Sequence, residues 1–117
     1  MKISYLHDED ILFIDYSGII TIGNGISNMD IIEREFRNIS LNKAKVKLIF
    51  DIRDTIWESS ETHNTLSAIS RKKFNQQNFE FTIYTAILNK EFNSPTFENE
   101  HWFCNMEDAI TWLVEKA

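Results

Sequence analysis

At 117 residues and 43% hydrophobic, with three glycines and one proline, the chain fits one domain around one core and is too short for two. Its 18 acidic and 12 basic residues leave a formal charge of −6, which repels phosphate backbones and argues against nucleic acid as a partner. The longest apolar run, Ile11-Leu12-Phe13-Ile14, is far too short to span a bilayer, and Met1-Lys2 has no apolar stretch behind it, so the expectation is a cytoplasmic protein with no integral membrane segment.

In chain order, Ile3 to Leu6 reads as a short strand, His7 to Asp10 as its turn, and Ile11 to Tyr16 as a second strand that is apolar on both faces. Gly18 and Gly23-Asn24-Gly25 break the pattern. A helix is predicted from Ser27, with Asp30 completing a capping box and Ile26 and Ile31 in the hydrophobic-staple positions. Ile32, Phe36 and Ile39 continue its apolar stripe, and it should end near Leu41-Asn42.

Val46 to Ile52 carries β-branched and aromatic residues on both faces, the mark of a central strand covered on each side. It closes on Asp51-Ile52-Arg53-Asp54, and Thr55 to Ser59 reads as a loop. Ser60 or Thr62 then caps a second helix carrying Leu66, Ile69 and Phe74. Phe79 to Leu88 is the next strand, with Phe79, Phe81, Ile83 and Ile87 at one parity and Tyr84, Ala86 and Leu88 at the other.

Ser94-Pro95 suits a short helix start, His101 to Cys104 a short last strand. Asn105 caps the final helix, whose apolar stripe is Met106, Ala109, Ile110, Leu113 and Val114. The basic stretches Lys43 to Lys47 and Arg71 to Lys73 read as solvated helix ends. The expected fold is therefore α/β in one domain over 1–117: a five-stranded, mixed, mostly parallel sheet with an N-terminal hairpin and four helices, ordered β-β-α-β-α-β-α-β-α.

A strand ending in a carboxylate and a polar loop is where open α/β sheets keep their function. Here that places Asp51, Asp54, Ser59 and Ser60 together. Catalytic readings of the region are poor. Ser60 and His63 lie on the same first helical turn, and no glycine-rich elbow presents the serine, so a triad with Asp51 has no frame. Asp51, Asp54 and Glu58 could hold magnesium, but Arg53 can pair with either aspartate, and no glycine loop for phosphate accompanies them. With Cys104 alone and His7, His63 and His101 far apart, neither a disulfide nor a structural zinc is expected, and Cys104 reads as a small buried hydrophobe. The expectation is a protein without enzymatic activity and without a cofactor.

The element order, Asp51 closing the third strand, and the ending Phe103-Cys104-Asn105-Met106-Glu107-Asp108-Ala109-Ile110-Thr111-Trp112-Leu113 resemble SpoIIAA-like domains, the STAS and Sec14-related group of small bacterial proteins. Members that act as anti-sigma-factor antagonists carry an Asp-Ser pair and a following glycine at the start of the helix after this strand. Ser60 matches the phosphorylated serine in position, while Ser59 stands in place of the aspartate and Thr62 in place of the glycine. A phosphate on Ser60 would gain about 1 kcal/mol from the helix terminus and lose a comparable amount to Glu58 and Glu61, so Ser60 reads as a plain N-cap.

The resemblance implies one of two uses. The first is a regulatory protein-binding module with Asp51, Asp54, Ser59 and Ser60 at its contact surface. The second is a carrier or sensor of a lipid or other apolar small molecule, for which Trp57, Phe92, Phe97 and Trp102 are the candidates. The last three recur every five residues, which fits neither a helix face nor strand alternation. Rings packed against the sheet favour the module; rings around a void favour the carrier. A monomer and a homodimer paired through a sheet edge are both open.

Overall fold

Alternating side chains on three parallel strands divide the core into two halves, one on each face of a central sheet. The computed structural model describes residues 1–41, 43–91 and 99–116. Its elements are β1 (Lys2–Leu6), β2 (Ile11–Asp15), β3 (Gly18–Ile20), α1 (Ile22–Ile39), β4 (Lys45–Asp51), β5 (Thr55–Trp57), α2 (Ser60–Lys73), a 3-10 turn (Gln76–Asn78), β6 (Thr82–Leu88), β7 (Glu100–Phe103) and α3 (Met106–Val114). The main sheet runs β1-β2-β4-β6-β7, antiparallel only between β1 and β2. The α/β class, the hairpin and the mixed five-stranded sheet agree with the sequence expectation.

Strand order advances in one direction, so successive right-handed crossovers put α1 and α2 on the same face. There Leu12, Ile14, Val46, Leu48 and Ile83 pack with Met29, Ile32, Phe36 and Leu66. On the opposite face α3 covers Ile11, Ile49, Ala86 and Leu88 with Ala109 and Leu113. Burial of both parities of β4 and β6 follows, as the apolar residues on their two faces require.

Several local expectations are corrected. Helix α1 starts at Ile22, not Ser27: Thr21 is its cap, accepting from Asn24 N at 3.2 Å, while Asn24 Oδ1 accepts from Thr21 N at 2.8 Å. This reciprocal cap outweighs the helix cost of Gly23 and Gly25. The buried stripe becomes Gly25, Met29, Ile32 and Phe36, and the supposed staple residues Ile26 and Ile31 face outward. Thr55–Trp57 is not a loop but pairs in parallel with β3 as a separate two-stranded sheet, with Ile19 opposite Ile56. Segments of three residues are too short to show alternation.

The cap of α2 is Ser59, whose Oγ accepts from Thr62 N at 3.0 Å, so Ser60 is the first helical residue rather than the cap. Cys104 is exposed, because β7 ends one residue before it and the chain is already turning into α3. Val114 is also exposed, and Trp112 packs in its place against Phe103 and His101. Lys45 and Lys47 lie on β4 itself rather than at a helix end. Three α-helices are present among the described residues where four were expected; the helix expected at Ser94-Pro95 lies outside them. No helix among the described residues is long and apolar enough to cross a membrane.

Candidate functional site

Helix α2 is built to pack on α1 and only lightly on the sheet. Its apolar content is small: Thr62 and Leu66 are its only buried residues, with Ile69 packed beside them. Leu66 meets α1 at Gly25, where the missing side chain allows close approach. Resting on α1 in this way, α2 leaves space over β4, β6 and β7, and a partly open cavity of about 680 Å³ lies there. Its floor is Leu48, Phe50, Ile83 and Ile87. Its roof is the polar face of α2: His63, Asn64, Ser67 and Arg71, a set recurring at one-turn spacing.

Trp57 and Trp102 stand where this cavity continues into a second, more polar recess of about 670 Å³, lined also by Ile52, Ser59, Ser60, His63, Asn64 and Asn89. Five residues, Ile52, Trp57, His63, Asn64 and Trp102, line both spaces, so the recess is the mouth of the cavity. Trp57 is held by its place on β5, with its ring 4.7 Å from His63 and 6.3 Å from Tyr16. Trp102 donates its indole N–H to Glu100 Oε2 at 3.2 Å, which fixes the ring over the β7 end of the floor. Glu100 itself is buried and lines the cavity. Tyr16 closes the β2 side; burial raises its phenol above the ordinary 10.0 more than its hydrogen bond with Asn28 lowers it.

The sequence grouped Asp51 and Asp54 with Ser59 and Ser60, and the structure separates the pairs. Asp51 stands in register with Leu88, which packs under α3, so its carboxylate points to the face opposite the cavity. Arg53 grips it twice, Nε to Oδ1 at 3.0 Å and Nη2 to Oδ2 at 2.8 Å, and the Arg53 amide adds a third bond at 3.1 Å. Burial works to raise the Asp51 carboxyl, but the bonds and charge of Arg53 outweigh it and hold the group below its ordinary value. Asp54 is exposed, and its carbonyl accepts from Gly18 N at 3.1 Å, tying the loop to β3. Ser59 and Ser60 do line the mouth, together with Trp57 and Trp102. Phe92 and Phe97 lie outside the described residues.

Chemically, the site offers apolar area together with hydrogen-bonding groups, among them the ionisable side chains of Arg71 and Glu100. His63 faces Trp57 while Asp51, its supposed triad partner, is held by Arg53 on the other face. Among the described residues no three His, Cys, Asp or Glu side chains come together to hold a metal ion. The sequence marks Arg71 only as part of a solvated helix end and gives no sign of a role for Asn64 or Ser67. Their spacing was visible, but a polar helix stripe over a void has the same pattern as one facing water.

Fold and site together define an α/β domain with a mixed five-stranded sheet and a cavity between its second helix and that sheet. Comparison with protein-family models, with curated proteins and with solved structures returns no match to the chain.

Proposed function

We propose that this is a non-enzymatic binding domain, a carrier or sensor that holds an apolar small molecule between α2 and the sheet. The observation that carries the reading is the cavity of about 680 Å³ with an aliphatic and aromatic floor and two tryptophans at its mouth. That volume lies in the range of about 300–1,000 Å³ that accommodates drug-sized ligands, and an apolar wall with a few convergent polar groups is the usual composition of such sites. The resemblance to SpoIIAA-like domains, whose Sec14-type relatives hold lipids against a sheet, supports the same use.

Filling the space tests it. Ser67→Trp puts an indole into the cavity from the roof without removing a floor contact, and it is expected to reduce uptake of a fluorescent fatty acid at least about tenfold with little change in melting temperature. Undiminished uptake by the variant, or no uptake by the parent protein, would refute the reading. Trp57→Ala is the less direct variant, because Trp57 also packs against the core and its loss mixes stability with binding.

A second reading, a regulatory protein-binding module of the anti-sigma-factor-antagonist kind, is favoured by one observation. Ile19 and Ile56, neighbours across β3 and β5, are 64% and 60% exposed, and β5 leads directly to Ser59 and Ser60. If partners engage there, Ser60→Asp should remove at least one protein from those retained by the immobilised domain in lysate of its own host; an identical retained set would exclude a Ser60 switch.

A further inference from the structure

Charge is unevenly distributed along the cavity. Beside the N-terminus of α2, whose Ser60 and His63 line the mouth, Glu58 and Glu61 are exposed and stand outside the lining. At the other end, the last turn of α2 carries Arg71, Lys72 and Lys73. Lys73 is turned away and paired with Asp30 at 2.6 Å, with Glu33 also near it at 3.9 Å. Arg71 has no such pair. Arg71 is exposed and lines the cavity, its Nε donates to Ser67 O at a long 3.4 Å, and no carboxylate of the described residues lies within ion-pair distance of it. A guanidinium carries five donors in a planar fork suited to a carboxylate, so most of the binding capacity of Arg71 is unused.

The remaining polar groups restrict where a ligand's charge can go. Glu100 lies midway along the cavity in register with Thr85, and its Oε2 accepts from the Trp102 indole N–H. Among the described residues that line the two spaces, Arg71 is the one Lys or Arg, so its end favours an anion. The carbonyl end of α2 opposes an anion with about half a charge, less than the full charges of Arg71 and Lys72 combined. From Arg71 back to His63 the helix runs eight residues, about 12 Å, over an apolar floor that ends at Trp57 and Trp102.

We infer that the ligand is an anionic amphiphile, a monocarboxylate with an apolar body, whose head is bound by Arg71 and whose body lies along the floor toward the two tryptophans. The inference rests on the cavity being a ligand site and adds the chemical class and the orientation of its occupant.

Calorimetric titration with decanoate, decanol and decylamine separates the two claims. The parent protein should bind decanoate about tenfold more tightly than decanol, the usual size of a charge-assisted contact at a partly exposed site. Arg71→Gln should abolish that preference while leaving decanol affinity unchanged, and Arg71→Lys should retain part of it. Arg71 is exposed, so both variants are expected to fold. Equal binding of decanoate and decanol, or a preference unaltered by Arg71→Gln, would overturn the assignment of the head to Arg71 and leave the cavity as an apolar site. A preference for decylamine would place the head at Glu100 and likewise overturn it. Failure of all three probes to bind would overturn the ligand-binding reading itself.

Discussion

Phe36→Ala is expected to lower the free energy of unfolding by about 3–5 kcal/mol, the cost of emptying a buried aromatic site. Phe36 is 2% exposed and stands between the two helices and the sheet, its ring 5.5 Å from Phe74 and 6.2 Å from Phe79. Phe79 in turn contacts Phe81 at 5.2 Å and lies under the Arg37 guanidinium at 5.0 Å. One ring thus supports the segment that joins α2 to β6. Because a domain of this size has only about 5–15 kcal/mol in total, the variant should show a much lower urea midpoint with an unchanged slope. A loss below about 1 kcal/mol would mean that the neighbouring rings collapse into the space, and that Phe36 is not the point on which this half of the core closes.

Gly25→Val should be the next most damaging change, at about 1–3 kcal/mol, and its comparison with Gly25→Ala identifies the reason. A Cβ at Gly25 would stand 2.4 Å from Leu66 Cδ1 and 2.8 Å from Cδ2. Alanine gains up to about 1 kcal/mol in helix propensity, which offsets much of the shift that Leu66 must make. Valine adds two methyls in the same direction and has little propensity to set against them. Leu66 is 3% exposed, so the strain should pass to α2 as a whole and move the roof of the cavity. Thermal melts and fatty-acid uptake should therefore change together in Gly25→Val and barely at all in Gly25→Ala. A negligible effect of both substitutions would show that α1 and α2 do not meet closely at this point.

Much of the fold could be read from residue order because its strands are strongly patterned. Both parities of Val46 to Ile52 and of Phe79 to Leu88 are apolar, and the strands found there, β4 and the shorter β6 beginning at Thr82, are interior to the sheet with a helix layer on each side. Asn105 caps α3 as expected, accepting from Asp108 N at 2.9 Å. The start of α1 is hidden in the sequence because two glycines flanking an asparagine look like a turn, and the approach of Leu66 explains Gly25 inside that helix. Strands β3 and β5 escaped notice for a different reason: each has three residues, and their pairing joins segments far apart in sequence.

The candidate site divides along the same line. Short-range patterns, namely strand parity, capping side chains and helical spacing, suffice to place Trp57, Ser59, Ser60 and Trp102 near the ends of the parallel strands, because each depends on residues a few positions apart. That Asp51 turns to the other face and is neutralised by Arg53, that α2 leans on α1 through Gly25 instead of lying flat on β6, and that a polar helix stripe borders a cavity all depend on contacts between distant segments. Those contacts are decided by how whole elements pack, and no local pattern in the chain encodes the distance between two of them.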